Sequence, residues 1–254
     1  MLSYILPFII VILVVVFIHE YGHYYFAKKY GVGVTGFSIG FGKEIFGFND
    51  KSGTRWKFCV VPLGGYVKFF ADRNVFSQSE QKDLLKRYSQ EDQKKLFVTK
   101  PLYQRSLIVL AGPLANFLLA ILIFAFIYMF SGKDFTPAQI NEVQVDSPAQ
   151  SAGIKNGDLI ISINNKKVSS ILEVSAFINT SATENIIIKV LRNDENIDFV
   201  VTPKLIKTED SLGNTINKKI IGIKISPLNN ELKIERLGPA TAMFYAFKET
   251  LFVT

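Results

Sequence analysis

One cysteine, Cys59, is all that this chain of 254 residues has, and an internal disulfide is thereby excluded. Histidine is nearly as scarce, with His19 and His23 the only two. Residues 1–18, MLSYILPFIIVILVVVFI, carry no charged side chain, and no internal repeat recurs at a fixed period. Also missing are the basic start, the short apolar core and the small-residue cleavage site of a secretory signal peptide, so the run reads as part of the working chain. It passes directly into His19-Glu20-Tyr21-Gly22-His23.

Residues four apart on a helix share a face, so both imidazoles can reach one metal ion while Glu20 handles protons. This is the HExxH arrangement of zinc peptidases. At a rise of 1.5 Å per residue the apolar run and the motif span roughly 30 Å, the thickness of a bilayer core. Ionisable groups inside a membrane segment cost about 2.5 to 3.5 kcal/mol each on insertion scales and mark a functional site. Coordinating a metal offsets that cost. A second run, LIVLAGPLANFLLAILIFAFIYMF over 107–130, is long enough to cross with some tilt and holds one strongly polar side chain, Asn116.

The formal net charge of +7 is unevenly spread. Residues 27–106 hold 15 Lys+Arg against 7 Asp+Glu, whereas 131–236 hold 13 of each. Basic loops stay in the cytoplasm, and residues 1–18 have no Lys or Arg to hold the start of the chain inside. The expected orientation is N-terminus out, loop 27–106 in the cytoplasm and residues 131 onward outside. The lysines follow a membrane segment, so a solvated juxtamembrane surface explains them better than nucleic-acid binding.

Within the loop, VTGFSIGFGKEIFGF (34–48) and TRWKFCVV (54–61) are rich in aromatic and β-branched residues, and residues 49–53 between them supply turn chemistry. A β-hairpin is expected, closed by a turn at Pro62-Leu63-Gly64-Gly65, with Gly36 and Gly40 among the glycines that let a second backbone come close. Residues 76–100 are polar with scattered Leu and Phe; they read as a surface helix or a poorly ordered segment and carry no assigned chemistry. From Pro137 the composition becomes that of a small soluble domain. Strands are expected at 139–145, 158–163 and 220–225, short helices at 148–152 and 171–178, and a hairpin over 185–191 and 196–201.

HEYGH, GFSIGFG, PLGGYVKF, AGPLANF and NEVQVDSPAQSAGIKNGDLIISINNKKV, in this order, resemble the site-two protease family of intramembrane zinc metalloproteases, in its bacterial PDZ-containing branch. The resemblance covers nearly the whole chain. It implies an α-helical polytopic membrane protein with two transmembrane helices, a membrane-associated β-hairpin and an inserted α+β PDZ-like domain. The corresponding segments are 1–26 (first transmembrane helix with HExxH), 27–106 (loop with hairpin), 107–130 (second transmembrane helix), 137–226 (PDZ-like) and 236–254 (lead-in to a third helix).

Carried over residue by residue, the resemblance makes His19 and His23 ligands of one Zn2+ and Glu20 the catalytic glutamate, which moves a proton from metal-bound water to the leaving nitrogen. Asn116 matches the Asn of the family's GPxxN stretch, as a hydrogen-bond donor to substrate or oxyanion or, equally, as glue between helices. A hairpin at membrane depth can receive an unwound substrate strand at a free edge, expected at 34–41 with Gly36 and Gly40. The PDZ-like domain would offer a peptide-binding edge through Gln139 and Ile140, or act as a steric filter.

The family's third zinc ligand, an aspartate in a later span, has no match among the 254 residues, and the tail resembles the lead-in to that span, so the resemblance implies a chain truncated before its third transmembrane helix. Asp50 and Glu44 are the conceivable substitutes. The implied activity is intramembrane endoproteolysis of membrane-anchored proteins in the inner membrane, with neither nucleic acid nor a small molecule as substrate. Two readings compete: a catalytically inactive membrane adaptor presenting the PDZ-like domain, and an unrelated helix bundle whose HExxH is accidental.

Overall fold

The first helix, α1 (Leu2–Lys29), carries a Val- and Ile-rich sequence that in water would suit a strand equally well. A helix satisfies every backbone group within the segment, which is what an apolar surrounding demands. Its last turn carries Lys28 and Lys29, favourable beside the C-terminal end of the dipole. In the computed structural model residues 2–71, 85, 87–209 and 213–253 are described, and they divide into two units: one comprises α1, the segment following it up to Phe124 and the residues from Met243 on, the other residues 125–242. Of the segment 76–100, to which the sequence assigns no chemistry, residues 76–84 and 86 lie outside the described residues.

In the first unit β1 (Val34–Asn49) and β2 (Arg55–Phe69) form the expected hairpin, but β2 runs straight through Pro62-Leu63-Gly64-Gly65, where a turn was expected. The register slips repeatedly, and Pro62, which has no N–H to give, falls where pairing jumps from Phe41 with Val61 to Ile39 with Gly65. The strands curl as a result. Gly36–Ile39 is flanked by Lys68–Gly65 on one side and by Arg55–Phe58 on the other, so 34–41 is not the free edge expected from the sequence. The Pro62–Phe69 arm, which pairs on one side, is the outer strand instead.

The aromatic rings lock this sheet to α1. Phe37 stacks on Trp56 with centroids 4.1 Å apart and meets Phe17 and Tyr24 edge-on. Asp50, in the hairpin turn, accepts hydrogen bonds from Tyr24 Oη of α1, Trp56 Nε1, the Ser52 amide and hydroxyl, and the Thr54 amide. Burial alone would raise its pKa, yet these donors hold it well below the usual carboxylate range. A four-residue helix, α2 (Gln90–Gln93), capped by Ser89, precedes the second long helix, α3 (Leu102–Phe130). Ile108 of α3 is buried with Ala27, Val32 and Val34.

The second unit holds a sheet of order β11-β4-β5-β7-β8, built from β4 (Ala138–Val143), β5 (Leu159–Ile163), β7 (Ile186–Arg192), β8 (Glu195–Val201) and β11 (Ile223–Pro227), with β6 (Lys166–Lys167) beside β5. A two-residue pair, β3 (Lys133–Asp134) with β12 (Ile234–Glu235), and a hairpin, β9 (Lys204–Glu209) with β10 (Thr215–Ile220), lie outside it and were not foreseen. Helix α4 (Pro148–Ser151) is capped by Ser147. Helix α5 (Ile171–Thr180) is capped by Ser170 and lays Val174 and Ile178 on the core of Ile140, Ile160, Ile188 and Val190. Because β4 is hydrogen-bonded to β11 on one side and β5 on the other, Gln139 and Ile140 have no free edge, contrary to expectation. The sheet edge beside α5 is β11. Helix α6 (Pro239–Val253) follows.

The folded pKa of Asp50 is depressed, so its contribution to stability is complete above the unfolded value near 4 and is lost only as pH falls through the lower folded value. Asp50→Ala is therefore expected to loosen the hairpin tip, read as at least ~5-fold faster hydrogen exchange of the Ser52 and Thr54 amides at pH 7. In the unmodified chain those amides stay protected at pH 4.

Candidate metal centre

Gly22 and Gly112 decide how close α1 and α3 come. A Cβ on Gly22 would overlap the Ala111 carbonyl and crowd the Ala115 methyl at 3.0 Å. One on Gly112 would overlap His23 Nε2 and lie 2.8 Å from His19 Nε2. The histidine pair thus sits in space that a glycine leaves open.

Each ring is held from behind. His23 Nδ1 donates to the Ile108 carbonyl of α3 at 2.7 Å, which leaves Nε2 bare. His19 Nδ1 lies 3.2 Å from the Asn116 amide of the same helix. The two Nε2 atoms face each other at 3.2 Å. Two nitrogens bound at 2.0–2.1 Å to one tetrahedral zinc stand about 3.3 Å apart, so the pair fits two corners of such a site. Glu20, next on α1, approaches the outer arm of β2: a Cβ on Gly65 would come 3.0 Å from Glu20 Cγ, and the Val67 amide is within hydrogen-bonding reach of the carboxylate.

The structure therefore brings His19, Glu20, His23 and Asn116 together. Gly36 and Gly40 lie within the sheet instead: Gly36 between Lys68 and Arg55, and Gly40, at φ +85°, against the Val61 and Cys59 carbonyls. Gln139 and Ile140 belong to the second unit. Neither suggested substitute ligand is free, since Asp50 is saturated with donors and Glu44 pairs with Arg55 at 2.5 Å. Among the described residues no cluster of three or more His, Cys, Asp or Glu can enclose a metal. Sequence reasoning missed Gly112, Gly65 and the Ile108 carbonyl. Gly112 was within reach, four residues before Asn116 and so on its helix face.

Residues 7–251 match Peptidase family M50. The chain is a member of that family. M50 relatives include a protein of Mesorhizobium japonicum named "Putative zinc metalloprotease", 38% identical over 98% of this chain and 68% of its own length. Another is Metalloprotease MmpA of Caulobacter vibrioides, 35% identical over 85% of this chain and 56% of its own. This M50 chain spans about two thirds of the length of the curated relatives it matches. A solved PDZ domain of an SdrC-like protein from Listeria monocytogenes covers 36% of this chain and 88% of its own, with 22% identity and a TM-score of 0.29. Membership in the M50 family argues against an accidental motif, and the relatives carry the name of putative zinc metalloproteases.

Gly112→Ala in this M50 protein is expected to cut zinc affinity at least ~10-fold, measured by chelator competition on the purified chain. Gly238→Ala, where a Cβ meets nothing within 4 Å, serves as the unchanged control.

Proposed function

We propose that this M50 protein hydrolyses peptide bonds of membrane-anchored proteins inside the bilayer. The observation that carries the reading is the joint presence, at one point between two apolar helices, of a facing histidine pair, a glutamate beside them and an outer strand next to that glutamate. Ile5–Lys29 and Leu102–Phe130 are long and apolar enough to cross a membrane, and their outward side chains, among them Leu6, Phe8, Leu114 and Phe126, are more than half exposed. Surfaces of that kind and length suit lipid better than water.

His19 and His23 would hold the zinc at two of the three protein positions that a catalytic site takes beside water. When bound, the metal supplies a Lewis acid and a hydroxide nucleophile at neutral pH. Glu20 would serve as the proton carrier, taking a proton from the attacking nucleophile and returning it to the leaving nitrogen. A substrate helix hides its amides until unwound, and an extended segment pairs with the free edge of a strand. That edge is the Pro62–Phe69 arm of β2, beside Glu20, rather than residues 34–41. Gly65 lets this arm lie against Val16 and Glu20 of α1, and Gly64 makes room for the Phe41 ring.

Loop 27–106 faces the cytoplasm of the inner membrane and the 137–226 domain faces outward, as the basic excess of the loop supports. The domain is PDZ-like. Its groove, lined by Val174, Ser175 and Ile178 of α5 and by Ile223 and Ile225, runs along the free edge of β11, which takes over the peptide-binding role expected of Gln139 and Ile140. Neither nucleic acid nor a small molecule is a substrate in this reading.

Glu20→Gln is expected to abolish cleavage of a model transmembrane substrate, by ~10³-fold or more, while zinc binding persists; His23→Ala is expected to lose both. Undiminished cleavage by Glu20→Gln, assayed in the full-length protein in proteoliposomes, overturns the proposal.

A further inference from the structure

One polar atom beside the histidines has no partner among the described residues: Asn116 Oδ1 is buried and unbonded, while Nδ2 of the same amide faces His19 Nδ1 at 3.2 Å. As drawn, a consistent chain of donors runs through the site. Asn116 Nδ2 donates to His19 Nδ1, His19 Nε2 donates to His23 Nε2, and His23 Nδ1 donates to the Ile108 carbonyl. That arrangement places a proton between the two Nε2 atoms and strands Oδ1 in an apolar helix interface, where a buried acceptor left unbonded is costly.

The amide has a second orientation, related by exchange of its oxygen and nitrogen, that occupies the same atom positions. Oδ1 then accepts the proton of His19 Nδ1, and both Nε2 atoms are bare. Two bare lone pairs facing each other at 3.2 Å repel unless a cation lies between them. Each orientation therefore leaves one defect, and only a shared cation removes the defect of the second.

From this geometry we infer that Asn116 is the positioning residue of His19, an amide that turns from donor to acceptor when the histidine pair takes a cation and thereby fixes the tautomer in which His19 Nε2 is a ligand. The inference rests on the zinc-site reading above. It assigns Asn116 a task toward His19 rather than toward substrate, and it accounts for a polar side chain kept on the α3 face four residues from Gly112. Acceptors that hold the far nitrogen of a metal-binding histidine in this way are worth ~10–100-fold in metal affinity.

Asn116→Asp and Asn116→Leu separate this from helix glue, because Asp keeps only the accepting half of the amide and Leu keeps neither. Zinc affinity of the full-length protein, by chelator competition, is expected to be retained or raised in Asn116→Asp and to fall ~10–100-fold in Asn116→Leu. A second readout needs no metal: with only two histidines in the chain, 15N-histidine spectra resolve His19 directly. Metal-free Asn116→Asp is expected to carry a proton on His19 Nδ1, where the unmodified metal-free chain carries none. Equal losses of zinc in both variants, or an Nδ1 that is the same in the unmodified and Asp chains, overturns the inference. If instead the unmodified chain and His23→Ala bind zinc equally, it is the zinc-site reading that fails, and the metal-free spectra still decide the role of Asn116.

Discussion

Close approach of two helix backbones is the constraint on which the rest of the site depends. Gly22 lets α1 meet the Ala111 carbonyl, and Gly112 leaves the volume that two imidazoles occupy. With any side chain at either position the helices stand farther apart, the Ile108 carbonyl moves out of reach of His23, and Asn116 moves away from His19. The metal-binding geometry is thus made by two missing side chains as much as by two histidines. In an apolar surrounding this contact gains little from the hydrophobic effect, since lipid tails are as apolar as Leu or Ile, and small residues that allow dense van der Waals packing become the means of association.

The same surrounding explains the pattern of hydrogen bonds. A buried polar atom without a partner is costly, and both histidine Nδ1 atoms are met by a specific neighbour on α3. The Ile108 carbonyl answers His23 and the Asn116 amide answers His19. After this accounting two Nε2 atoms and one amide oxygen are left with conflicting demands. In the proposed reading, a cation between the two rings meets that demand. Asp50 shows the opposite case: a carboxylate whose five donors are all supplied by the chain has no capacity left for a ligand, and it serves to fasten the hairpin tip to α1 through Tyr24.

Legibility in the sequence followed the range of the interactions. The HExxH spacing, both apolar helices and most strands of the second unit depend on residues within one or two turns of each other, and they were readable from periodicity and caps. Strand edges were not, because an edge is defined by what fails to pair with it. Residues 34–41 looked like an edge from their glycines, yet the curl of β2 covers them on both sides; Gln139 and Ile140 looked like one from family analogy, yet β11 returns across more than 80 positions to pair with β4. The β9–β10 hairpin was missed for a related reason. Its exposed Leu205 and Ile216 alternate with no buried face, so period-2 patterning had nothing to report.

Moving the free edge from 34–41 to the Pro62–Phe69 arm also changes the chemistry that the hairpin can support. A strand at 34–41 would lie one strand removed from Glu20, with the Gly65–Lys68 segment in between. An extended peptide paired there could not bring its carbonyl to the histidines without displacing β2. The outer arm has no such obstacle: it passes Glu20 at Gly65, it lacks side chains at two successive positions, and Pro62 removes the backbone donor at the point where pairing with β1 slips. The glycines and the proline, which the sequence alone presents as a turn, instead produce a strand thin enough to lie against the helix that carries the motif.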